Sequence, residues 1–274
     1  MIAVDGRDCL FVAVVLPGED VKENVIRDTI VSAHSGNKEY VSSKFVECTE
    51  AENGALQKIE FKNEDKFNFA FDIVDEIAKK APEKLAMLHI DKNKVERRFT
   101  FNDMKRASNQ CANYFKSLGI KKGDRVMLVL KRHYQFWYAI LALHKLGAVA
   151  IPATNLLQEH DFDYRFNAAE VSAIVCTADG DVAHQVDLAA PASPTLKTKI
   201  LVGGEREGWH NFDEEFPLFS AHFYRTEDTA CGDDLMLMFF TSGTTGYPKI
   251  AAHNYKYALG HYCLLYTSPS PRDS

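Results

Sequence analysis

The sequence predicts an α/β protein with mostly parallel sheets flanked by helices. Three observations carry this. Between residues 125 and 202, short runs of Val, Ile, Leu, Met and Ala alternate with segments of helical period. The strand-like runs are apolar throughout, as in strands buried on both faces. Gly119 and Gly147 stand where helices should stop. Strands alternating with helices build βαβ units around a parallel sheet.

Taken in order, residues 1–45 form an unassigned N-terminal segment: a strand over 10–16, a turn at Gly18-Glu19-Asp20 and a helix over 21–31, broken by Gly36 and Asn37. They hold no recognisable chemistry. Residues 46–262 are expected to form one incomplete domain. Phe69/Ala70, Ile73/Val74 and Ile77/Ala78 repeat at helical spacing until Pro82. Strands over 85–90 and 95–100 flank the polar turn 91–94. Thr100 with Asp103 has the form of a capping box, opening a helix whose apolar face is Met104, Ala107, Cys111, Phe115 and Leu118. Strands then fall at 125–130, 148–151, 173–176 and 199–202, and helices at 134–145, 161–169 and 182–189. Residues 235–240 are a further apolar run. In open α/β sheets, ligands bind at the carboxyl ends of the strands.

Composition narrows the function. The chain has 274 residues, 32 Lys+Arg against 38 Asp+Glu, and a net charge of −6. Such a chain lacks the basic footprint of a nucleic-acid or anionic-membrane binder. The apolar run at 10–16 is too short to span a bilayer, and Asp5, Asp8, Glu19 and Asp20 flank it where a leader would be basic. The six cysteines form no C-x-x-C pair and no zinc spacing, which suits a reducing compartment. A cytoplasmic protein without a transmembrane segment is expected.

The chemistry concentrates after the run 235–240, in Thr241-Ser242-Gly243-Thr244-Thr245-Gly246-Tyr247-Pro248-Lys249. Hydroxyl groups supply donors, and Gly243 and Gly246 let backbone N–H groups wrap an anion. Lys249 adds a point charge suited to phosphate oxygens, with Pro248 stiffening its approach. A Walker loop requires G-x-x-x-x-G-K-[ST]. Here Tyr247 and Pro248 separate Gly246 from Lys249, and Ile250 replaces the Mg²⁺-binding hydroxyl, so the run is not one.

The run resembles the phosphate-binding signature of the adenylate-forming enzymes. Residues 121–128 (Lys-Lys-Gly-Asp-Arg-Val-Met-Leu), 143–152 (Leu-His-Lys-Leu-Gly-Ala-Val-Ala-Ile-Pro), 200–209 and 251–254 are similar to segments of its acetyl- and medium-chain acyl-CoA synthetase branch. The resemblance covers about residues 67–261. It implies part of the large N-terminal domain of such an enzyme, with Thr241, Ser242, Gly243, Thr244, Thr245, Gly246 and Lys249 around the ATP triphosphate, and Tyr247 and Pro248 in the loop without an assigned contact. It also implies Mg²⁺ with ATP, a small carboxylic (fatty) acid substrate, and CoA as co-substrate. The acid attacks the α-phosphate to give acyl-adenylate and pyrophosphate, and the CoA thiol then displaces AMP. The family's adenine- and metal-contacting motifs, hinge and catalytic lysine lie later than this sequence runs, so residues 1–274 alone are expected to be poorly soluble and not to turn over. Two alternatives stand beside this reading: an adenylation domain loading a carrier-protein thiol, and a noncatalytic ATP-binding module.

Other residues read more plainly. His253 is a hydrogen-bonded structural residue or a neighbour of the nucleotide. His144 and Trp137 are expected in the core, and the aromatic run 133–138 as helix packing. Glu205, Glu207, Asp213, Glu214 and Glu215 are expected on a solvated face. The last twelve residues, 263–274, break with everything before them. The nucleotide string CTCTTATACACATCT encodes Leu-Leu-Tyr-Thr-Ser, the residues at 264–268, and resembles a common transposon-type sequencing adapter. Native coding is therefore expected to end near Tyr262, with 263–274 a non-native tail.

Overall fold

A computed structural model of the chain describes residues 4–5, 8–9, 41–52, 56–91, 93–242 and 246–261. The strand and helix expected at 10–16 and 21–31, and the tail after 262, lie outside them. The chain divides into two compact units, residues 1–105 with 256–274, and residues 106–255.

The first unit is built from antiparallel pairs: β1 (Val4–Asp5) with β2 (Asp8–Cys9), β3 (Val46–Glu50) with β4 (Leu56–Phe61), and β5 (Leu85–Ile90) with β6 (Glu96–Thr100). The helix expected from Phe69 onward opens as a π-turn, Ala70–Asp75, before continuing as α1 (Glu76–Lys80). Asn68 caps it: its side-chain oxygen accepts from the Ala70 N–H at 3.1 Å, while its own N–H donates to Asp72 at 2.7 Å. The polar turn at 91–94 is organised by Asp91, which accepts the N–H groups of Asn93 and Val95 at 2.9 and 3.0 Å. The capping box is present at the start of α2 (Phe101–Ser117): Asp103 N–H donates to Thr100 Oγ1 at 3.1 Å, and Thr100 N–H to the Asp103 carboxylate at 2.8 Å.

The second unit holds one seven-stranded sheet. Its elements are β7 (Arg125–Val129), α3 (Gln135–Leu146), β8 (Val149–Pro152), α4 (Glu159–Ala168), β9 (Val171–Thr177), α5 (Val182–Ala189), β10 (Thr198–Val202), β11 (His210–Asn211), α6 (Phe212–Glu215), β12 (Leu235–Thr241) and β13 (Lys249–Asn254). The strand order is β11-β10-β9-β7-β8-β12-β13, parallel except for the antiparallel β12–β13 pair.

This order explains the layers. The chain steps from β7 to β8 in one direction, then from β8 past β7 to β9 in the other. Right-handed crossovers therefore place α3 and α4 on opposite faces, and α5 on the face of α4. Accordingly Met127, Val129, Ile151, Ile174 and Cys176 form one cluster with Phe162 and Phe166 of α4 and Val182 and Val186 of α5. Each buried Phe there contributes about 1.5–3 kcal/mol over an exposed one. Gly147 ends α3 at φ 81°, its N–H donating to Leu143 at 2.8 Å. On α2, the side chains of Asn109, Gln110 and Asn113 donate to the carbonyls of Ala221, Pro217 and Ser220 at 2.8–2.9 Å, which pins an extended segment to the helix.

Candidate functional site

The nine-residue run closes a β-hairpin. Thr241 is the last residue of β12 and faces Lys249, the first of β13, in register, with the Thr241 hydroxyl donating to the Lys249 carbonyl at 3.3 Å. The strand 249–254 is not foreseen from its sequence. It follows β12 because β12 pairs with β8 on one side and offers its other edge. Since β12 runs parallel to β8, the loop leaves the sheet at its carboxyl end, where α/β sheets bind ligands.

Thr241, Ser242, Gly246, Tyr247 and Lys249 are exposed and Pro248 is half-buried; Gly243, Thr244 and Thr245 lie outside the described residues. Gly246 has φ 107°, a backbone conformation that side chains rarely adopt. The donor set is hydroxyl, backbone and ammonium, with no carboxylate in the run, which suits an anion. No group of three His, Cys, Asp or Glu that could hold a metal occurs among the described residues.

Tyr247 and Pro248, without a contact in the sequence reading, are held by α4. The Tyr164 hydroxyl donates to the Pro248 carbonyl at 2.8 Å, and its ring stacks on Tyr247 at 4.8 Å and 28°. The Arg165 guanidinium lies 5.3 Å from the centre of the Phe240 ring. Sequence reading missed Tyr164 because 83 residues separate it from Tyr247 and only the sheet order brings them together.

Cavities open along the sheet. One of about 240 Å³ lies at the carboxyl ends of β7 and β8, lined by Leu130, Lys131, Arg132, Phe136, Thr154 and Asn155 among others. Lys131 there has φ 48°, a left-handed turn seldom used by residues with a side chain. Another, about 490 Å³, runs from the amino ends of β7, β8 and β12 and the end of α4 to Met238 and to Ile250 of β13, and its charges are engaged: Lys122 pairs with Asp234 at 3.1 Å and Arg125 with Glu170 at 2.6 Å.

The remaining candidates resolve as follows. His253 lies on β13, half-buried, its ring edge-on to Phe239 at 5.8 Å. His144 is buried, and burial lowers its pKa to about 4, while Trp137 is half-buried. In the run 133–138, His133 leaves the helix packing for the end of β9, with Nε2 2.7 Å from the Thr177 hydroxyl. The acidic group is not uniformly solvated. Glu205, Glu207 and Glu214 are exposed, but Asp213 accepts from Gly203 N–H at 2.7 Å and Gln135 at 2.8 Å, and Glu215 from Asn211 N–H at 2.9 Å. These two carboxylates are drawn inward because they satisfy loop and helix donors beside β10. In the run 235–240, Met236 and Leu237 are buried and Phe239 and Phe240 half-exposed.

Residues 74–272 match the family described as AMP-binding enzyme. The chain is 36% identical over 202 residues to acyl-coenzyme A synthetase ACSM5 of Rattus norvegicus, a match covering 71% of this chain and 34% of that protein. It is 33% identical over 216 residues to acyl-coenzyme A synthetase ACSM1 of Homo sapiens, covering 76% of this chain and 37% of that protein. Among solved structures, it is similar in fold to a Brucella canis acyl-CoA synthetase, with TM-score 0.61 and 22% identity over 74% of this chain and 36% of that one. The chain spans about a third of the length of the curated relatives it matches. Both of these curated relatives are named mitochondrial, which points away from the cytoplasmic location expected from sequence. That expectation rested on acidic residues near Met1 and on cysteines without C-x-x-C or zinc spacing, a pattern that fits any reducing compartment. With the hairpin loop at the carboxyl end of a parallel sheet and a family match that runs through it, the chain belongs to the AMP-binding enzyme family.

Proposed function

We propose that this chain supplies the triphosphate-binding loop of an ATP-dependent, AMP-forming acid–thiol ligase acting on a small or medium-chain carboxylic acid. The observation that carries the reading is the hairpin loop Thr241–Lys249: hydroxyls, a left-handed glycine and a lysine, without a carboxylate, at the ligand-binding end of the sheet. The acyl-CoA synthetase names of the relatives support the reaction class.

In this reading the loop holds the β- and γ-phosphates while the carboxylate attacks the α-phosphate, releasing pyrophosphate. The acyl-adenylate then meets the CoA thiol and releases AMP. The contribution of Thr241, Ser242, Lys249 and the loop N–H groups is positioning and stabilisation of the charge that builds on the departing pyrophosphate. Mg²⁺, arriving with ATP, would neutralise part of that charge. Lys131 and Arg132, at the smaller cavity of the same sheet end, add a cationic ledge suited to an anionic substrate.

The test is a coupled assay on the product of the complete gene, with ATP, Mg²⁺, a series of straight-chain acids and CoA. Pyrophosphate release that requires the acid, and AMP release that requires both acid and CoA, are expected. AMP release that requires a carrier-protein thiol in place of CoA, or no release with any acid, would overturn the reading. Residues 1–274 alone are expected to show no turnover in the same assay.

A further inference from the structure

We propose that Tyr164 is the positioning residue of the phosphate loop, holding its trailing half, residues 246–249, in the shape that receives the phosphates. The proposal rests on the triphosphate reading above. Tyr164 stands on α4 between Phe162 and Phe166, both fully buried in the core, so its backbone is fixed by packing. From there it reaches the loop twice. Its hydroxyl donates to the Pro248 carbonyl at 2.8 Å, and its ring stacks on Tyr247, a residue still 71% exposed with that contact made. The Pro248 carbonyl and the Lys249 N–H share one rigid peptide plane. A hydrogen bond on that carbonyl therefore sets the direction in which Lys249 leaves the loop. The next residue of α4 does the same for the strand before the loop. Arg165 is tied to the Asp161 carbonyl and carboxylate at 3.0 and 3.1 Å, and holds its guanidinium over Phe240. Helix α4 thus contacts β12 before the loop and residues 247–248 after it. Holding a loop in its bound shape lowers the entropy lost when ligand binds.

The test compares the product of the complete gene with its Tyr164→Phe variant, which keeps a ring to stack but loses the hydroxyl, with Tyr164→Leu, which loses both, and with Lys249→Ala. Three readouts are taken: the Kd for Mg-ATP, backbone amide exchange at 246, 247 and 249 without ATP, and the melting temperature. Losing one hydrogen bond should raise Kd roughly two- to tenfold in Tyr164→Phe, and Tyr164→Leu should exceed it. Loop amides should exchange faster in the same order, with melting shifted little in Tyr164→Phe. A purely structural tyrosine would lower the melting temperature and leave the rank order of Kd unrelated to loop exchange. If wild type binds ATP and Lys249→Ala does not, while both Tyr164 variants bind as wild type, the positioning role is overturned and the triphosphate reading stands. If wild type itself does not bind ATP, the reading fails, and the positioning role with it.

Discussion

Two glycines at the amino end of the sheet separate backbone strain from crowding. Gly123 and Gly147 adopt nearly the same left-handed conformation, φ 84° and 81°, and are joined by a hydrogen bond from the Gly123 N–H to the Gly147 carbonyl at 2.9 Å. Placing a side chain in that conformation costs about 1–2 kcal/mol. Their surroundings differ. A Cβ on Gly123 would meet nothing within 4 Å, whereas one on Gly147 would sit 3.0 Å from the Ala230 Cβ and 3.0 Å from the Lys122 Cγ. The lysine can swing aside, but Ala230 is 1% exposed and held on all sides. Overpacking of that kind adds about 1–3 kcal/mol. Gly123→Ala should therefore destabilise by about 1–2 kcal/mol and Gly147→Ala by about 2–5 kcal/mol. Urea unfolding followed by tryptophan fluorescence reads this directly, because both tryptophans, Trp137 and Trp209, lie in the sheet-bearing unit. The midpoint should fall with the slope unchanged. Equal losses for the two variants would refute the argument, since it assigns the whole difference to the Ala230 contact.

Two further predictions concern acid. Burial depresses the His144 pKa from 6.5 to about 4, so the unfolded chain binds an extra proton between those values, and stability should drop as pH falls from 6.5 towards 4. A shift of that size corresponds to about 3 kcal/mol, and His144→Leu should flatten the melting temperature across that window; an unchanged profile would count against it. Asp187 acts lower. Burial raises its pKa, but Lys199 and Arg206, each at 2.6 Å, and the Trp209 indole at 3.0 Å outweigh that and hold it below 3.8. Its contribution is present above the unfolded value and lost as pH falls through the folded one. Asp187→Asn should therefore lower the melting temperature at pH 6 and narrow its gap to wild type below pH 3.8; a constant gap would contradict the assignment.

The parallel sheet was legible because its strands are buried on both faces and therefore write continuous apolar runs such as Val126-Met127-Leu128 and Ala173-Ile174-Val175-Cys176. Helix stops at Gly119 and Gly147 were legible because a left-handed turn nearly demands glycine. The edges were not. Strand β13, with Ala251 and Ala252 at its centre and no β-branched alternation, owes its existence to pairing with β12 rather than to its own preference. Helix α4 was read two residues late, since its start is set by reciprocal bonds between Gln158 and Asp161 and not by hydrophobic period. The anion-binding chemistry proposed for the loop is read from its own nine residues. Its support by Tyr164 and Arg165, and the recruitment of Asp213 and Glu215, depend on contacts that only the strand order creates.

The most direct measurement is calorimetric titration of Mg-ATP and of AMP into the product of the complete gene, wild type and Lys249→Ala. The hairpin loop as a triphosphate cradle predicts that ATP binds more tightly than AMP, because the β- and γ-phosphates carry the affinity, and that Lys249→Ala weakens ATP about tenfold while leaving AMP nearly unchanged. Equal affinities for ATP and AMP, or an ATP affinity indifferent to Lys249, would contradict it.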